Sequence, residues 1–77
     1  MKLTKESLLK HLAEDLAVDD VDETTELFST GLLDSVSMLK LITFVEEKAG
    51  VQVSQEDVTL DNFDTVTRIL TFARSAG

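Results

Sequence analysis

The chain has 77 residues, a formal net charge of −8 and no cysteine. This length predicts one domain over residues 1–77, with a core too thin to wall a deep catalytic cleft. The acidic excess argues against nucleic acid and anionic membranes as partners, since basic side chains bind both, and it favours basic protein surfaces. Without cysteine the chain has neither a disulfide nor a thiolate that could act as nucleophile or metal ligand.

Hydrophobic residues make up 43% of the chain, which is enough for a folded core. The sequence has no apolar run long enough to span a membrane, and it does not open with a signal segment. We therefore expect a soluble, cytoplasmic and monomeric protein that does not insert into a membrane.

The first predicted helix covers residues 4–16. Thr4 is a suitable N-cap, and Glu6 places negative charge in the first turn, where the helix dipole favours it. His11 is interpreted as a structural residue at the surface or edge of this helix. The apolar side chains recur at helical spacing on one face, formed by Leu8, Leu9, Leu12, Ala13 and Leu16.

Residues 17–33 form a long acidic connection that also contains apolar side chains. A structureless loop of this length is uncommon in a small domain, so we expect the apolar residues to hold it against the helices. Thr24–Ser29 is expected to form a short helical turn. The apolar residues of this connection are Val18, Val21, Leu27, Phe28, Leu32 and Leu33.

The second predicted helix begins at Asp34 or Ser35, either of which can cap it, and runs to about Ala49. Gly50 is well placed to terminate it. Residues 51–53 alternate like a strand but have no partner strand, so we interpret them as an extended link. The predicted buried face of the helix consists of Met38, Leu41, Ile42, Val45 and Ala49.

Ser54 and Asp57 form a helix-start pattern that predicts a short third helix near residues 55–59. A turn is predicted over Leu60–Phe63, and the last helix over residues 64–75. The predicted fold is therefore all-α: a four-helix bundle with a long loop between helices 1 and 2 and a short helix 3.

The segment at residues 27–36 carries most of the functional information. Gly31 permits a left-handed bend just before the second helix. Leu32 and Leu33 are expected to enter the core and to fix where the chain enters that helix.

Asp34 and Ser35 then lie at the helix N-terminus, where free amide groups and the positive end of the dipole favour a phosphate. Asp34 can cap the helix, or it can orient a modifying enzyme and its metal. The simplest alternative is that this Asp-Ser pair only caps a helix, as most such pairs do.

Residues 28–36, Phe-Ser-Thr-Gly-Leu-Leu-Asp-Ser-Val, resemble the phosphopantetheine attachment motif of the acyl carrier protein family, which includes peptidyl and aminoacyl carriers. In that motif an Asp-Ser pair, followed by a large apolar residue, starts the second helix of a four-helix bundle. The resemblance extends over nearly the whole chain, through Gly50, the 51–53 link and the Asp-Asn-Phe-Asp-Thr-Val segment at residues 61–66.

The resemblance implies a mechanism of carriage without catalysis. A phosphopantetheinyl transferase moves the arm from coenzyme A onto the Ser35 hydroxyl, so 4'-phosphopantetheine is the covalent cofactor and Asp34 is the adjacent motif residue. The thiol of the arm holds an acyl or aminoacyl group as a thioester. The other implied partners are a loading enzyme and a downstream transferase or synthase.

The same resemblance makes the second helix the docking surface, with Val36, Ser37, Lys40 and Glu47 as the predicted partner-docking residues. Glu47 is equally consistent with an ordinary solvated helix residue. Fatty-acid carriers usually have acidic residues where this chain has Ser37 and Lys40. This difference favours a specialised secondary-metabolite or aminoacyl-transfer pathway over housekeeping fatty-acid synthesis.

Other chemistries fit the sequence less well. The acidic linker partly matches a calcium loop, but Ala17 and Asp20 stand where a ligand and a glycine are needed, so no metal is expected. A serine hydrolase would need glycines around its serine, and His11 is the only imidazole. The main rival is an acidic helical interaction domain that never carries the arm, and a housekeeping fatty-acid carrier is a second alternative.

Overall fold

The computed structural model describes residues 2–76, and every regular element within them is helical. The chain folds as an all-α bundle with a long connection between the first two helices, as predicted. In chain order the elements are α1 (Lys5–Glu14), α2 (Ser35–Ala49), a 3₁₀ helix (Gln55–Asp57), α3 (Leu60–Phe63) and α4 (Val66–Ala76).

Helix α1 begins at the predicted cap. The amide of Ser7 donates to Thr4 Oγ1 at 3.0 Å, and the amide of Thr4 donates to Ser7 Oγ at 2.9 Å, which completes a capping box. The helix ends at Glu14, earlier than the predicted residue 16. Ala17 takes a left-handed φ of 57°, which an α-helix cannot continue through.

The core is formed by one face of each long helix together with parts of the connection. Leu27 and Leu33, which belong to that connection, are 0% and 6% exposed, so apolar residues do hold it against the helices. The other buried apolar residues are Leu3, Leu8, Leu12, Leu41, Val45, Phe63, Val66, Ile69, Leu70 and Ala73.

The helical turn predicted over Thr24–Ser29 does not form. Asp22 Oδ1 accepts hydrogen bonds from the amide of Thr24 at 2.8 Å and from the hydroxyl of Thr25 at 3.1 Å. A side chain that bonds nearby backbone in this way stabilises a turn in competition with a helix. A further turn follows at Phe28–Gly31, where the Gly31 amide donates to the Phe28 carbonyl at 3.1 Å.

The segment after α2 also differs in detail from the prediction. Residues 51–53 form an extended link, but the third helix is split into the 3₁₀ helix and α3, so the predicted turn at Leu60–Phe63 is wrong. Val58 has φ −84° and ψ 82°, which breaks the helix between the two pieces. Helix α4 begins at Val66 instead of residue 64. The Asp64 carbonyl accepts the Leu27 amide, and Thr65 caps the helix by accepting the Arg68 amide.

His11 was expected at the surface or edge of α1, but it is only 8% exposed. Its ring stacks on Phe44 with centroids 4.1 Å apart, and its Nδ1 lies 2.6 Å from Asp15 Oδ2. The stacking joins the end of α1 to the middle of α2, so His11 is a structural residue in the interior. Within residues 2–76, no helix has the length and hydrophobicity of a membrane span.

Candidate functional site

The loop that leads into α2 is closed on itself. The Leu33 amide donates to the Leu27 carbonyl at 2.9 Å, and Gly31 adopts the predicted left-handed conformation with φ 82°. Because Leu33 is tied to a core residue, it enters the core as expected. Leu32 does not: it remains 48% exposed beside the site. At the end of this bend, just before α2, Leu33 is buried in the core and Leu32 faces solvent.

Asp34 is the N-cap of α2, which settles the choice between the two predicted caps. Its Oδ1 accepts a hydrogen bond from the Ser37 amide at 2.9 Å. Hydrogen bonds from the Ser37 amide and hydroxyl lower the pKa of the Asp34 carboxyl below its ordinary value. The cap is therefore ionised at neutral pH, next to the positive end of the helix.

Ser35 is the first residue of α2, and it is exposed. Its hydroxyl makes no hydrogen bond to any group in residues 2–76, so it is free to meet a reagent. A phosphodiester at this position would lie at the helix end that favours negative charge. The geometry of Ser35 thus fits an attached phosphate group.

The predicted docking residues do not all lie on the surface to the same extent. Val36 is 60% exposed, and Lys40 and Glu47 are exposed on the same helix face, because they follow it by four and eleven residues. Ser37 is half-buried, and its amide is used by the cap. Leu39 is 66% exposed and adds to this surface.

The negative charge of the protein is not concentrated at the start of α2. The first turn of that helix has no acidic residue. Glu46 uses its carboxylate to accept the Val53 amide at 2.9 Å, so it is structural. Exposed acidic residues lie instead in the linker, at Asp19, Asp20, Asp22, Glu23 and Glu26. Within residues 2–76, no three His, Asp or Glu side chains converge as metal ligands would.

One residue of this region was missed from the sequence. Asp64 is 1% exposed, and its carboxylate accepts hydrogen bonds from the amides of Phe28 and Ser29 at 2.8 and 3.0 Å. The available signal was the Asp64-Thr65 pair before the last helix. Thr65 alone caps α4, through a 3.0 Å bond from the Arg68 amide, which leaves the aspartate free for another task.

Comparison with known proteins identifies the family. The family described as "Phosphopantetheine attachment site" matches residues 6–73. The D-alanyl carrier protein of Abiotrophia defectiva is 33% identical over 69 residues, which cover 88% of this chain and 85% of that protein. The D-alanyl carrier protein of Listeria monocytogenes serotype 4b (strain CLIP80459) is also 33% identical over 69 residues, covering 87% of this chain and 88% of that protein.

Proteins of this family carry 4'-phosphopantetheine covalently on a serine, and they work with partner enzymes such as a phosphopantetheinyl transferase and a loading enzyme. They hold a substrate and leave its transformation to those partners. The chain therefore belongs to the phosphopantetheine attachment family, as a non-enzymatic carrier that tethers an acyl or aminoacyl group as a thioester and delivers it to partner enzymes.

Proposed function

We propose that Ser35 is the serine that carries the arm, within a single monomeric carrier domain over residues 1–77. The observation that supports this most directly is a comparison of the six serines, all of which lie in the described part of the chain. The hydroxyls of Ser7, Ser29, Ser54 and Ser75 each donate to a protein oxygen, and Ser37 is half-buried. Only Ser35 combines an exposed position with an unengaged hydroxyl.

The neighbours of Ser35 prepare it for transfer. Asp34 caps the helix through the Ser37 amide and so fixes the direction of the first turn. Val36 is exposed beside the hydroxyl and offers an apolar contact to an approaching transferase. The attached arm supplies a thiol, which holds the cargo as a thioester. Tethering then raises the effective concentration of the cargo at a docked enzyme.

We propose an aminoacyl cargo of the D-alanyl type, delivered in a specialised pathway. The names of the relatives support this, since both are D-alanyl carrier proteins. Fatty-acid carriers usually have acidic residues at the start of this helix, whereas the first turn of α2 has none. This difference also supports a specialised pathway. The partners would be a phosphopantetheinyl transferase, an amino-acid-activating loading enzyme and a downstream transferase. The need for coenzyme A supports a cytoplasmic location.

We further propose that partners dock on the exposed face of α2 that carries Val36, Lys40 and Glu47. Leu39 belongs to this face, whereas Ser37 contributes less because it is half-buried. An apolar contact at Val36 and Leu39, with an acidic partner group opposite Lys40, suits a carrier that must bind several enzymes and release each one.

Intact mass after incubation with coenzyme A and a promiscuous phosphopantetheinyl transferase tests the assignment. We expect one added arm on the wild type, none on Ser35→Ala, and one on the matched control Ser37→Ala. An unmodified wild type would favour the unmodified interaction domain. An arm on Ser35→Ala would place the attachment at another serine.

Loading of the modified protein tests the cargo. With ATP and a D-alanine-activating enzyme, we expect a further mass increase that hydroxylamine removes, as it does for thioesters. Loading by a fatty-acid malonyl transferase with equal efficiency would instead support a housekeeping fatty-acid carrier.

A further inference from the structure

Asp64 lies between α3 and α4, yet it is bonded to the loop that leads to Ser35. Its Oδ1 accepts from the amides of Phe28 and Ser29, and its Oδ2 accepts from the Ser29 hydroxyl at 2.7 Å. Its carbonyl accepts the Leu27 amide, also at 2.7 Å. One buried residue thus holds three consecutive residues that lie 35 to 37 positions earlier in the chain.

The segment held by Asp64 is the first part of the closed loop before α2. Leu33 returns to Leu27 through its amide, and Asp34 and Ser35 follow directly. Asp64 therefore fixes the position of the loop, and the loop in turn fixes the position of the helix start at Asp34 and Ser35.

Packing fixes that helix start less firmly than the rest of the helix, with Met38 only partly buried against the core. None of the first six residues of α2, Ser35–Lys40, is buried, and the only buried residues of the helix are Leu41 and Val45. This end is attached to the rest of the protein by the loop before it and by the partly buried Met38, which packs against the core. A change in the loop should therefore move Ser35 more readily than it would move a buried helix end.

A buried carboxylate is a costly way to hold a loop by stability alone, because the desolvation of a charge offsets much of what its bonds contribute. What the carboxylate provides is directionality: two oxygens that fix two amides and a hydroxyl in one geometry. Burial raises the pKa of Asp64, but hydrogen bonds from Ser29 and Phe28 and the charge of Arg68 outweigh it and lower the pKa. The group is therefore ionised and accepts hydrogen bonds at neutral pH.

We propose that Asp64 is a positioning residue for phosphopantetheine attachment, which holds the loop at Leu27–Ser29 so that the Asp34–Ser35 helix start is presented to the transferase. This inference rests on the proposed assignment of Ser35 as the attachment residue. Asp64 does not touch the reacting hydroxyl and acts only through the loop.

The inference predicts a particular kinetic change. Without the carboxylate, the loop samples other conformations, and only a fraction of the molecules presents Ser35 correctly. The apparent affinity for the transferase falls by that fraction, so the KM for the carrier rises, by about 10-fold if one molecule in ten is competent. Once the complex has formed the hydroxyl is unchanged, so kcat stays within about two-fold, provided that KM follows binding.

The experiment measures steady-state transfer of the arm at varied carrier concentration, with thermal unfolding of each protein recorded in parallel. The variants are Asp64→Ala, Asp64→Asn and Ser29→Ala, and the control is Ile69→Val, a buried substitution in α4, the helix that follows Asp64. We expect Asp64→Ala to raise KM about 10-fold and Ser29→Ala about three-fold. Asp64→Asn should lie close to Ser29→Ala, because one amide oxygen can still accept from both the Phe28 and the Ser29 amides, and only the acceptor for the Ser29 hydroxyl is lost.

The outcomes separate this inference from the proposed function. An unchanged KM for folded Asp64→Ala, or an equal rise for Ile69→Val, would overturn the positioning role. If Asp64→Ala does not fold, the milder Ser29→Ala decides, and an unchanged KM there overturns it equally. A wild type without the arm, or a modified Ser35→Ala, would refute the attachment assignment whatever the Asp64 variants do.

Discussion

The two ends of α2 are built from the same continuous helix but are held in different ways. At the N-terminal end, Val36 and Leu39 are 60% and 66% exposed, and the helix is fixed by its cap and by the loop before it. At the C-terminal end, Val45 is fully buried and Glu46 bonds the amide of Val53. Gly50 then ends the helix in a left-handed conformation with φ 68°.

The difference separates folding from function along one helix. The packed end contributes apolar burial to a small core, where each fully buried side chain stabilises the fold by roughly 1.5–3 kcal/mol. The open end keeps Val36 and Leu39 in solvent, where they are available to partners that must bind and then leave. The helix start is positioned by hydrogen bonds between Asp64 and the preceding loop, so it can remain exposed and still be ordered.

The largest expected contrast comes from two leucines of α2 that lie two positions apart. Leu41 is 0% exposed, so Leu41→Ala should cost about 3 kcal/mol of unfolding free energy. Leu39 is exposed, so Leu39→Ala should change stability by less than about 0.5 kcal/mol. In transfer of the arm, Leu39→Ala should lose about five-fold in kcat/KM through a lost apolar contact, equivalent to about 1 kcal/mol.

Urea denaturation and intact-mass kinetics on both variants check this contrast, with the transfer assay run where each protein is folded. A Leu39→Ala protein as unstable as Leu41→Ala would show that the open end is part of the core. An unchanged kcat/KM for Leu39→Ala would show that partners do not use this surface.

The two ends should also respond differently to acid. Asp64 has a pKa below its ordinary value of 3.8, so its contribution to stability is complete above the unfolded-state pKa. That contribution is lost as the pH falls through the lower, folded-state pKa. Between pH 5 and 8 the loop should therefore be unaffected, and below pH 3.8 the end of α2 next to the loop should loosen first.

Backbone amide signals of Phe28 and Ser29, compared with that of Val45 in an NMR pH titration, measure this order of events. Asp34 also has a lowered pKa and lies at the same end, so Asp64→Asn is the necessary control. It should abolish the acid transition of the two loop amides while leaving that of the Ser37 amide. Simultaneous movement of the Val45 signal with the loop would contradict the separation of the two ends.

Much of this arrangement could be predicted from local patterns. The caps at Thr4 and Asp34, the terminator Gly50 and the length of α2 follow from short-range rules about which residues begin and end helices. The identity of Ser35 as a candidate also depends on neighbours in sequence. These features require no knowledge of what lies on the other side of the fold.

The features that were missed depend on distant partners. Asp64 is predicted as the first residue of the last helix, and nothing in its neighbourhood indicates that residues 28 and 29 will reach it. His11 was placed at the edge of α1 because polar residues are usually exposed, and its stacking on Phe44 is a tertiary contact. Leu32 and Leu33 look alike in sequence, and only their exposures in the fold, 48% and 6%, show which of them enters the core.

The smallest expected effects come from alanine substitutions at the two glycines that flank α2. Both glycines have a positive φ, so the two substitutions introduce similar backbone strain at opposite ends of the helix. Gly31 and Gly50 have φ of 82° and 68°, and a Cβ atom would meet nothing within 4 Å at either position. Alanine at either glycine should therefore cost about 1 kcal/mol through backbone strain alone, with no steric clash. The stability losses should be similar because the local problem is the same.

Their effects on function should nevertheless differ. Gly31 lies in the loop that presents Ser35, so relief of its strain in Gly31→Ala would shift the helix start, and we expect the KM of arm transfer to rise about three-fold. Gly50→Ala distorts only the packed end, and its KM should match that of the wild type at equal fraction folded. Equal KM values for the two variants would mean that global stability alone governs presentation of Ser35. A rise confined to Gly31→Ala would show that the geometry of the loop governs it.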